Sequence, residues 1–403
     1  MKVGIYTLGC RLNFAESEEL TDLLVKNGFK ISFDQPEIVI VRGCSVTKKA
    51  EKETRWKIRE LKRKGNSFII AAGCLRKDFF LKEADLIIPK EKEEILFSEI
   101  KKIFRKNLKK EEDKIKLKTR SFIKIQDGCQ RYCSYCLIPY LRGKERSRKS
   151  EEIIKMIKEK EKNGYKEIVL TGVNIERWRE KDKDLIWLIK KILKKTKIER
   201  IRISSLWPEK IDDRFLSLFE NKRVCQHLHL SLQSLSPSVL KRMGRFYNLE
   251  KVEKIIKKIK KKFPNLTLTA DIIVGFPNET DKEFKQTYKK LKKLKLAKIH
   301  VFRYSLREGT KAAEMINQID EKTKKKRAKI ILNLSKKLEK EWKKKNLGQI
   351  RQVLFEKKKD NFWQGLTDNY LKVFVKSERN LANQILPVKL VKLYKEGLLG
   401  KLI

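Results

Sequence analysis

Residues 121–136 read SFIKIQDGCQRYCSYC, a strand-like apolar run that leads straight into Cys129, Cys133 and Cys136 at C-x3-C-x2-C spacing. No fourth cysteine stands beside them. A zinc site usually takes four tight ligands, from two cysteine pairs or a Cys/His set. The chain has three histidines. Two of them, His227 and His229 in HLHLSLQ (227–233), share one face of a predicted strand and read as barrel-lining or packed residues. Thiolates suit iron–sulfur clusters as well as zinc, and a cluster held by three cysteines leaves one iron open.

Downstream, further strands are predicted at EIVLTGV (167–173), RIRISSL (200–206), HLHLSLQ, LTADIIVGF (268–276) and KIHVFRYS (298–305). Lysine-rich helices such as SEEIIKMIKEKEKNG (150–164) and NLEKVEKIIKKIKKKF (248–263) separate them. With the strand before Cys129, six βα units predict a partial (β/α)6 barrel. Chemistry in such barrels lies at the carboxyl ends of strands. The residues to watch there are Cys129 to Cys136, Thr171, Gly172, Asn174, Ser204, Ser205, Gln233, Asp271, Arg303 and Ser305.

Upstream, VGIYTLGC (3–10), EIVIVRGC (37–44) and SFIIAAGC (67–74) are strand-like, and each ends in Gly-Cys. Helical spacing between them gives βαβαβ, the signature of a parallel sheet whose carboxyl edge binds ligands. Neighbouring strands lie about 4.8 Å apart, so Cys10, Cys44 and Cys74 can face one small object. ADLIIP (84–89) supplies a fourth strand. The charge-dense IFRKNLKKEEDKIKLKT (103–119) suits a helix end and linker. Residues 320–348 read as one long amphipathic helix closed by Gly348. The short strands after it predict a small OB-like β-barrel, a shape often used for nucleic acids. The fold class is α/β, with sections 1–115, 116–347 and 348–403.

With 403 residues, 40% of them hydrophobic, the chain can bury two or three cores. It has no run of eighteen apolar residues, and MKVGIYTLGC reads as a strand rather than a leader, so the expectation is a cytoplasmic protein without membrane insertion. An odd set of seven cysteines in a reducing compartment points to metal ligation or catalysis rather than disulfides. The formal net charge of +48 attracts polyanions, nucleic acid first among them. The lysines are spread over nearly every helix, so part of that excess reads as solvated surface.

The cysteine triplet at the end of the first strand of a βα array resembles the radical S-adenosylmethionine (SAM) superfamily. That likeness implies a 4Fe–4S cluster at Cys129, Cys133 and Cys136 whose open iron chelates SAM and cleaves it to methionine and a 5'-deoxyadenosyl radical. TLGCRLNFAESE (7–18), GCSVTKKAE (43–51) and AAGCLR (71–76) resemble the N-terminal domain of the methylthiotransferases, in which three dispersed cysteines hold a second 4Fe–4S cluster. IQDGCQRYCSYCLIPYLRGKERSR (125–148), LTGVNI (170–175), RISSLWPE (202–209), HLHLSLQS (227–234), LKRMGR (240–245) and DIIVGFPNET (271–280) resemble their radical SAM domain. The last residues, from about Gly348, are similar to a TRAM domain, the RNA-binding barrel of that family.

The motif TLGCRLN is similar to the bacterial enzymes that methylthiolate N6-threonylcarbamoyladenosine at position 37 of tRNAs reading ANN codons. The resemblance implies that Cys10, Cys44 and Cys74 carry the sulfur-bearing cluster, and that Thr171, Gly172, Ser204, Ser205, Gln233 and Asp271 contact SAM. No protein side chain is singled out as catalytic. Implied partners are the tRNA anticodon stem-loop, an electron donor such as flavodoxin or ferredoxin, and a sulfur donor. Two rival readings are a methylthiotransferase acting on isopentenyladenosine tRNA or a ribosomal protein, and a non-enzymatic iron–sulfur RNA-binding protein. Four positions depart from the family pattern: Arg42-Gly43 stands for the usual Asn-Thr, Leu235 for Gly, Asn278 for Gly and Arg303 for Pro.

Overall fold

The computed structural model describes every residue except 66, 77, 80 and 104–118. Most of the charge-dense stretch expected to act as a linker therefore lies outside the described residues. The chain divides into two compact units. One comprises Met1–Lys116, Asp127–Arg146 and Ser305–Ala313, the other Leu117–Gln126, Ser147–Tyr304 and Glu314–Ile403.

In chain order the first elements are β1 (Lys2–Thr7), α1 (Arg11–Lys26), β2 (Lys30–Ile31), β3 (Ile38–Cys44), α2 (Lys48–Lys64), β4 (Phe68–Cys74), β5 (Leu86–Ile88) and α3 (Leu96–Ile103). The five strands form one parallel sheet in the order β2-β1-β3-β4-β5. All of β3 is buried, as expected of a strand covered on both faces, which is why it reads as a continuous apolar run. Its alternate residues serve two cores: Ile38 and Ile40 join Leu20 and Leu24 of α1, whereas Val39 and Val41 join Ile58 of α2. The strand order reverses between β1 and β3, and the crevice beyond the carboxyl ends at such a switch point is where open α/β sheets bind ligands. Strand β1 stops at Thr7, short of the expected Gly-Cys, and Cys10 becomes the residue that precedes α1.

There follow β6 (Arg120–Asp127), α4 (Ile138–Arg142), β7 (Arg146–Ser147), α5 (Ser150–Lys162), β8 (Glu167–Gly172), β9 (Arg179–Glu180), β10 (Lys183–Asp184), α6 (Leu185–Lys195), β11 (Arg200–Ile203), β12 (Ser205–Leu206) and α7 (Asp213–Leu216). Next come β13 (His227–Gln233), α8 (Pro237–Arg242), α9 (Leu249–Lys262), β14 (Thr267–Val274), α10 (Asp281–Leu294), β15 (Lys298–Arg303), α11 (Lys311–Glu314) and α12 (Glu321–Lys345). Two sheets, β11-β8-β6-β7 and β12-β13-β14-β15, contain the six predicted strands, and the bridge between Ile201 and Val224 lies where one sheet follows the other. These strands make the partial barrel. Its core is one continuous cluster that includes Ile123, Ile168, Leu170, Ile201, Leu228, Leu268 and Ile299. Helix α12 starts at Asp320, whose carboxylate accepts from the Thr323 amide at 2.8 Å, a strong N-cap.

The last five strands, β16 (Ile350–Lys359), β17 (Phe362–Thr367), β18 (Lys372–Lys376), β19 (Ile385–Tyr394) and β20 (Gly397–Leu402), close into a barrel in the order β16-β17-β18-β20-β19. Trp363 belongs to its core, with Val353, Phe355 and Val373. This barrel docks onto the amino ends of the parallel strands. Arg200 donates to the carbonyls of Leu366 and Gln352 at 3.0 and 2.6 Å, and Arg202 to those of Asp368 and Thr367 at 3.1 and 3.3 Å. The Thr267 hydroxyl donates to the Asn369 carbonyl at 2.6 Å.

At the centre of this contact Glu167 forms a bidentate pair with Arg202, at 2.8 and 3.0 Å, and both side chains are almost fully buried. Burial alone would raise the Glu167 pKa. The guanidinium groups of Arg202, Arg120 and Arg200 outweigh it and hold the carboxyl at about 2. A carboxyl whose pKa is depressed on folding adds stability above its unfolded value, near 4.3, and loses it as pH falls toward the folded value. Stability should therefore drop by about 3 kcal/mol between roughly pH 4.5 and 2 on account of Glu167. Replacing it, as in Glu167→Gln, should cost about 3–5 kcal/mol at neutral pH, because Arg202 is left buried without its counter-charge. The variant should also lose that part of the acid dependence in chemical denaturation series across pH.

Candidate metal centres and cofactor site

The sheet brings the three dispersed cysteines to one edge. Cys44 and Cys74 are the last residues of β3 and β4 and face each other in register. Cys10 sits at the N-terminal end of α1, where the helix dipole favours negative charge. Its neighbour Gly9 lies so close to Cys44 that a side chain built there would stand 3.7 Å from the Cys44 sulfur. All seven cysteines are free of disulfides. Burial pushes the Cys44 thiol up to about 11 and the Cys74 thiol up to about 12. Thiols held that high are protonated and inert as nucleophiles at neutral pH, whereas a metal displaces the proton on binding. Among the described residues no three such side chains meet closely enough for a single metal ion. A single zinc would draw every thiolate to about 2.3 Å from one point, but the irons of a four-iron cluster stand apart and take their cysteines from more widely spaced positions. Three thiols gathered at one sheet edge form a donor set of the kind that iron–sulfur clusters take.

The second triplet follows β6 and lies in the same compact unit as the first. Its loop turns through two residues with left-handed backbone, Gly128 at φ 73° and Tyr132 at φ 46°. The Cys129 amide donates to the Gly143 carbonyl at 3.1 Å, and the Cys136 amide to the Cys133 carbonyl at 2.9 Å. All three thiols are partly exposed, open to a ligand approaching from solvent.

A network missed in the sequence surrounds Cys74. Arg142, the last residue of α4, is buried and directs Nε and Nη2 at the Cys74 sulfur, at 3.1 and 2.8 Å. Its Nη1 donates to Glu16 and to Asp127, each at 2.9 Å. Glu16 also accepts from Arg42 at 2.9 Å and from Lys90 at 2.7 Å, and Glu93 pairs with both of those cations. Three cations and three carboxylates balance. Burial lowers the pKa of Arg142, but the Cys74 sulfur once it is a thiolate, and the carboxylates of Glu16 and Asp127, reverse this and hold it well above the ordinary value, so it stays charged. One sequence signal pointed here: Glu16 falls in the four-residue spacing of Leu12, Leu20 and Leu24, a charge on the buried stripe of α1.

The six expected SAM contacts all lie in the other unit. Thr171 and Gly172 end β8. Thr171 is buried, and a Cβ at 172 would come within 2.6 Å of the Gln126 carbonyl oxygen, so close packing of β6 on β8 already requires glycine there. Ser204 is buried between β11 and β12, and Ser205 is exposed. Gln233 ends β13 with left-handed backbone, φ 65°, unusual for a non-glycine residue and typical of functional or tightly constrained positions. Asp271 in β14 accepts from His229 Nε2 at 3.0 Å. The other ring nitrogen lies 2.7 Å from the Thr269 hydroxyl, which fixes the ring's orientation. His229 is thus a packed barrel residue, and Asp271 pairs with it.

The Radical SAM superfamily model matches residues 123–291, and the model described as uncharacterized protein family UPF0004 matches residues 2–98. The chain is 33% identical to the threonylcarbamoyladenosine tRNA methylthiotransferase MtaB of Bacillus subtilis, with 98% of this chain and 95% of the relative covered. It is also 33% identical to the tRNA-2-methylthio-N(6)-dimethylallyladenosine synthase of Endomicrobium trichonymphae, over 100% of both. The chain belongs to the radical SAM tRNA methylthiotransferase family. Its fold is similar to that of the radical SAM methyltransferase TsrM of Kitasatospora setae, at a TM-score of 0.53 with 11% identity over 77% of each chain. Family membership makes an iron–sulfur cluster and SAM the cofactors and tRNA the substrate class. No helix among the described residues is long and apolar enough to cross a membrane.

In this methylthiotransferase the turn before Cys129 leaves no room for a side chain. A Cβ on Gly128 would collide with the Lys144 carbonyl as well as straining a left-handed backbone. Gly128→Ala should therefore reduce iron and sulfide uptake at the second triplet by half or more in anaerobic reconstitution. Cluster content in a background lacking Cys10, Cys44 and Cys74 measures this directly.

Proposed function

We propose that the enzyme replaces the C2–H of N6-threonylcarbamoyladenosine at position 37 of tRNAs reading ANN codons with a methylthio group, using two 4Fe–4S clusters. What supports this reading is that each triplet offers three free thiols with no fourth cysteine beside them among the described residues, at a sheet edge in one case and after a barrel strand in the other. When bound, a reduced cluster and SAM supply the one-electron cleavage of SAM that attack on an unactivated C–H bond demands.

The chain's own residues then have separate tasks. Cys129, Cys133 and Cys136 hold the SAM-binding cluster, with Thr171, Gly172, Ser204, Ser205, Gln233 and Asp271 as SAM contacts. Cys10, Cys44 and Cys74 hold the sulfur-bearing cluster. The three sections 1–115, 116–347 and 348–403 correspond to cluster-binding, radical SAM and RNA-binding domains. An electron donor of the flavodoxin or ferredoxin kind and a separate sulfur donor complete the system, in the cytoplasm. Threonylcarbamoyladenosine is preferred over dimethylallyladenosine because TLGCRLN follows the pattern of the former group, and the Bacillus relative carries that name.

Mass spectrometry of tRNA nucleosides from a host lacking its own enzyme, supplied with this chain, should show 2-methylthio-N6-threonylcarbamoyladenosine. Appearance of the methylthiolated isopentenyl nucleoside instead would overturn the substrate assignment. The division of labour has its own test. Cys133→Ala should abolish formation of 5'-deoxyadenosine, while Cys44→Ala should retain it and lose methylthiolation. Comparable loss of both activities in Cys44→Ala would refute separate roles.

A further inference from the structure

We infer that Arg142 sets the reduction potential of the cluster assigned above to Cys10, Cys44 and Cys74, acting as a positioning residue through the Cys74 sulfur. The inference rests on that assignment. Two N–H groups of one guanidinium point at this sulfur, at 3.1 and 2.8 Å, from a side chain only 1% exposed. The remaining donors hold it from behind. Nη1 is tied to Glu16 and Asp127, and Nη2 reaches a Glu16 oxygen at 3.2 Å and the Asn13 side-chain oxygen at 3.4 Å. Asn13 is itself fixed, its amide donating to the Leu8 and Gly43 carbonyls at 2.8 and 2.9 Å. The fork has no other direction to turn.

Hydrogen bonds to the sulfurs and local charge are among the terms that set cluster potentials. Reduction adds one electron to the cluster and makes its sulfurs more negative. A buried cation donating two N–H bonds to one of them stabilises the reduced state and raises the potential, and low dielectric strengthens the effect. Lysine could supply the charge but not the planar fork. The same guanidinium holds Asp127, whose carboxylate accepts from the Gly128 amide at 2.9 Å, one residue before Cys129. A single side chain thus joins a ligand of one cluster to the turn that leads into the other.

The test uses the full chain carrying C129A, C133A and C136A, so that one cluster remains. The protein is reconstituted anaerobically with iron and sulfide and titrated against electrode potential by electron paramagnetic resonance. R142Q should lower the ratio of reduced to oxidised cluster at fixed potential by about tenfold or more, ~59 mV for a one-electron couple. R142K should fall between R142Q and the parent. A potential unchanged from the parent in both variants overturns the inference. Should R142Q hold no iron because Glu16 and Asp127 lose a buried counter-charge, R142K decides alone: a lowered potential supports the inference and an unchanged one overturns it. Failure of the parent chain to take up a cluster would instead refute the assignment of Cys10, Cys44 and Cys74, before any change at Arg142 is made.

Discussion

The buried carboxylate of Glu16 is the constraint on which the cysteine-bearing unit is organised. Arg142, Arg42 and Lys90 all converge on it, and Glu93 and Asp127 complete the charge balance. Buried ions are costly to desolvate and are tolerated only when each is paired and hydrogen-bonded. Such a set rewards one geometry. It ties α1, the end of β3, the segment after β5 and α4 into a fixed frame around Cys74, and on the reading proposed above those outer partners would orient this sulfur toward a cluster.

The unusual Arg42 makes sense within this frame. Where the family pattern has a small polar residue before the second cysteine, this chain inserts a guanidinium, and Glu16 and Glu93 accept it in an otherwise apolar strand. Asn278 is likewise accommodated. It adopts φ 60°, a left-handed backbone in which glycine is easiest and asparagine the next most tolerant. Its amide also donates to the Ile316 carbonyl at 3.0 Å. Arg303, standing where proline is common, pairs with Glu321 at 2.8 Å. Leu235 is fully buried. Three of these four departures are compensated by a specific polar partner or backbone conformation, and the fourth by burial.

Much of the fold was legible because buried parallel strands are apolar runs ended by turn residues. EIVIVRGC, EIVLTGV and HLHLSLQ each mark a strand to within a residue or two. Strand β2 has only two residues, too few to leave a periodic signal. The end of β1 was misread because Gly-Cys follows it just as it ends β3 and β4, yet in β1 those residues already begin the turn into α1. The cysteine positions were legible from spacing. Arg142 was not, because it resembles any other basic residue in a chain with 100 lysines and arginines, and only the tertiary structure distinguishes a buried guanidinium from a solvated one.

The barrel unit treats its two ends differently, and the charges explain why. At the amino ends Arg120, Arg200 and Arg202 surround Glu167; Arg200 and Arg202 donate to backbone carbonyls of the small barrel and Arg120 to the Glu356 carboxylate, closing that end with satisfied polar contacts. The carboxyl ends instead carry the small or polar residues Thr171, Ser204, Ser205 and Gln233, of which Thr171 and Ser204 are buried and Ser205 is exposed. An enzyme of this family must admit SAM and a nucleotide and still shield a radical from water. Stability supplied by buried, fully paired ions at the amino ends places no demand on the residues at the carboxyl ends, which are therefore not constrained by the docking of the small barrel.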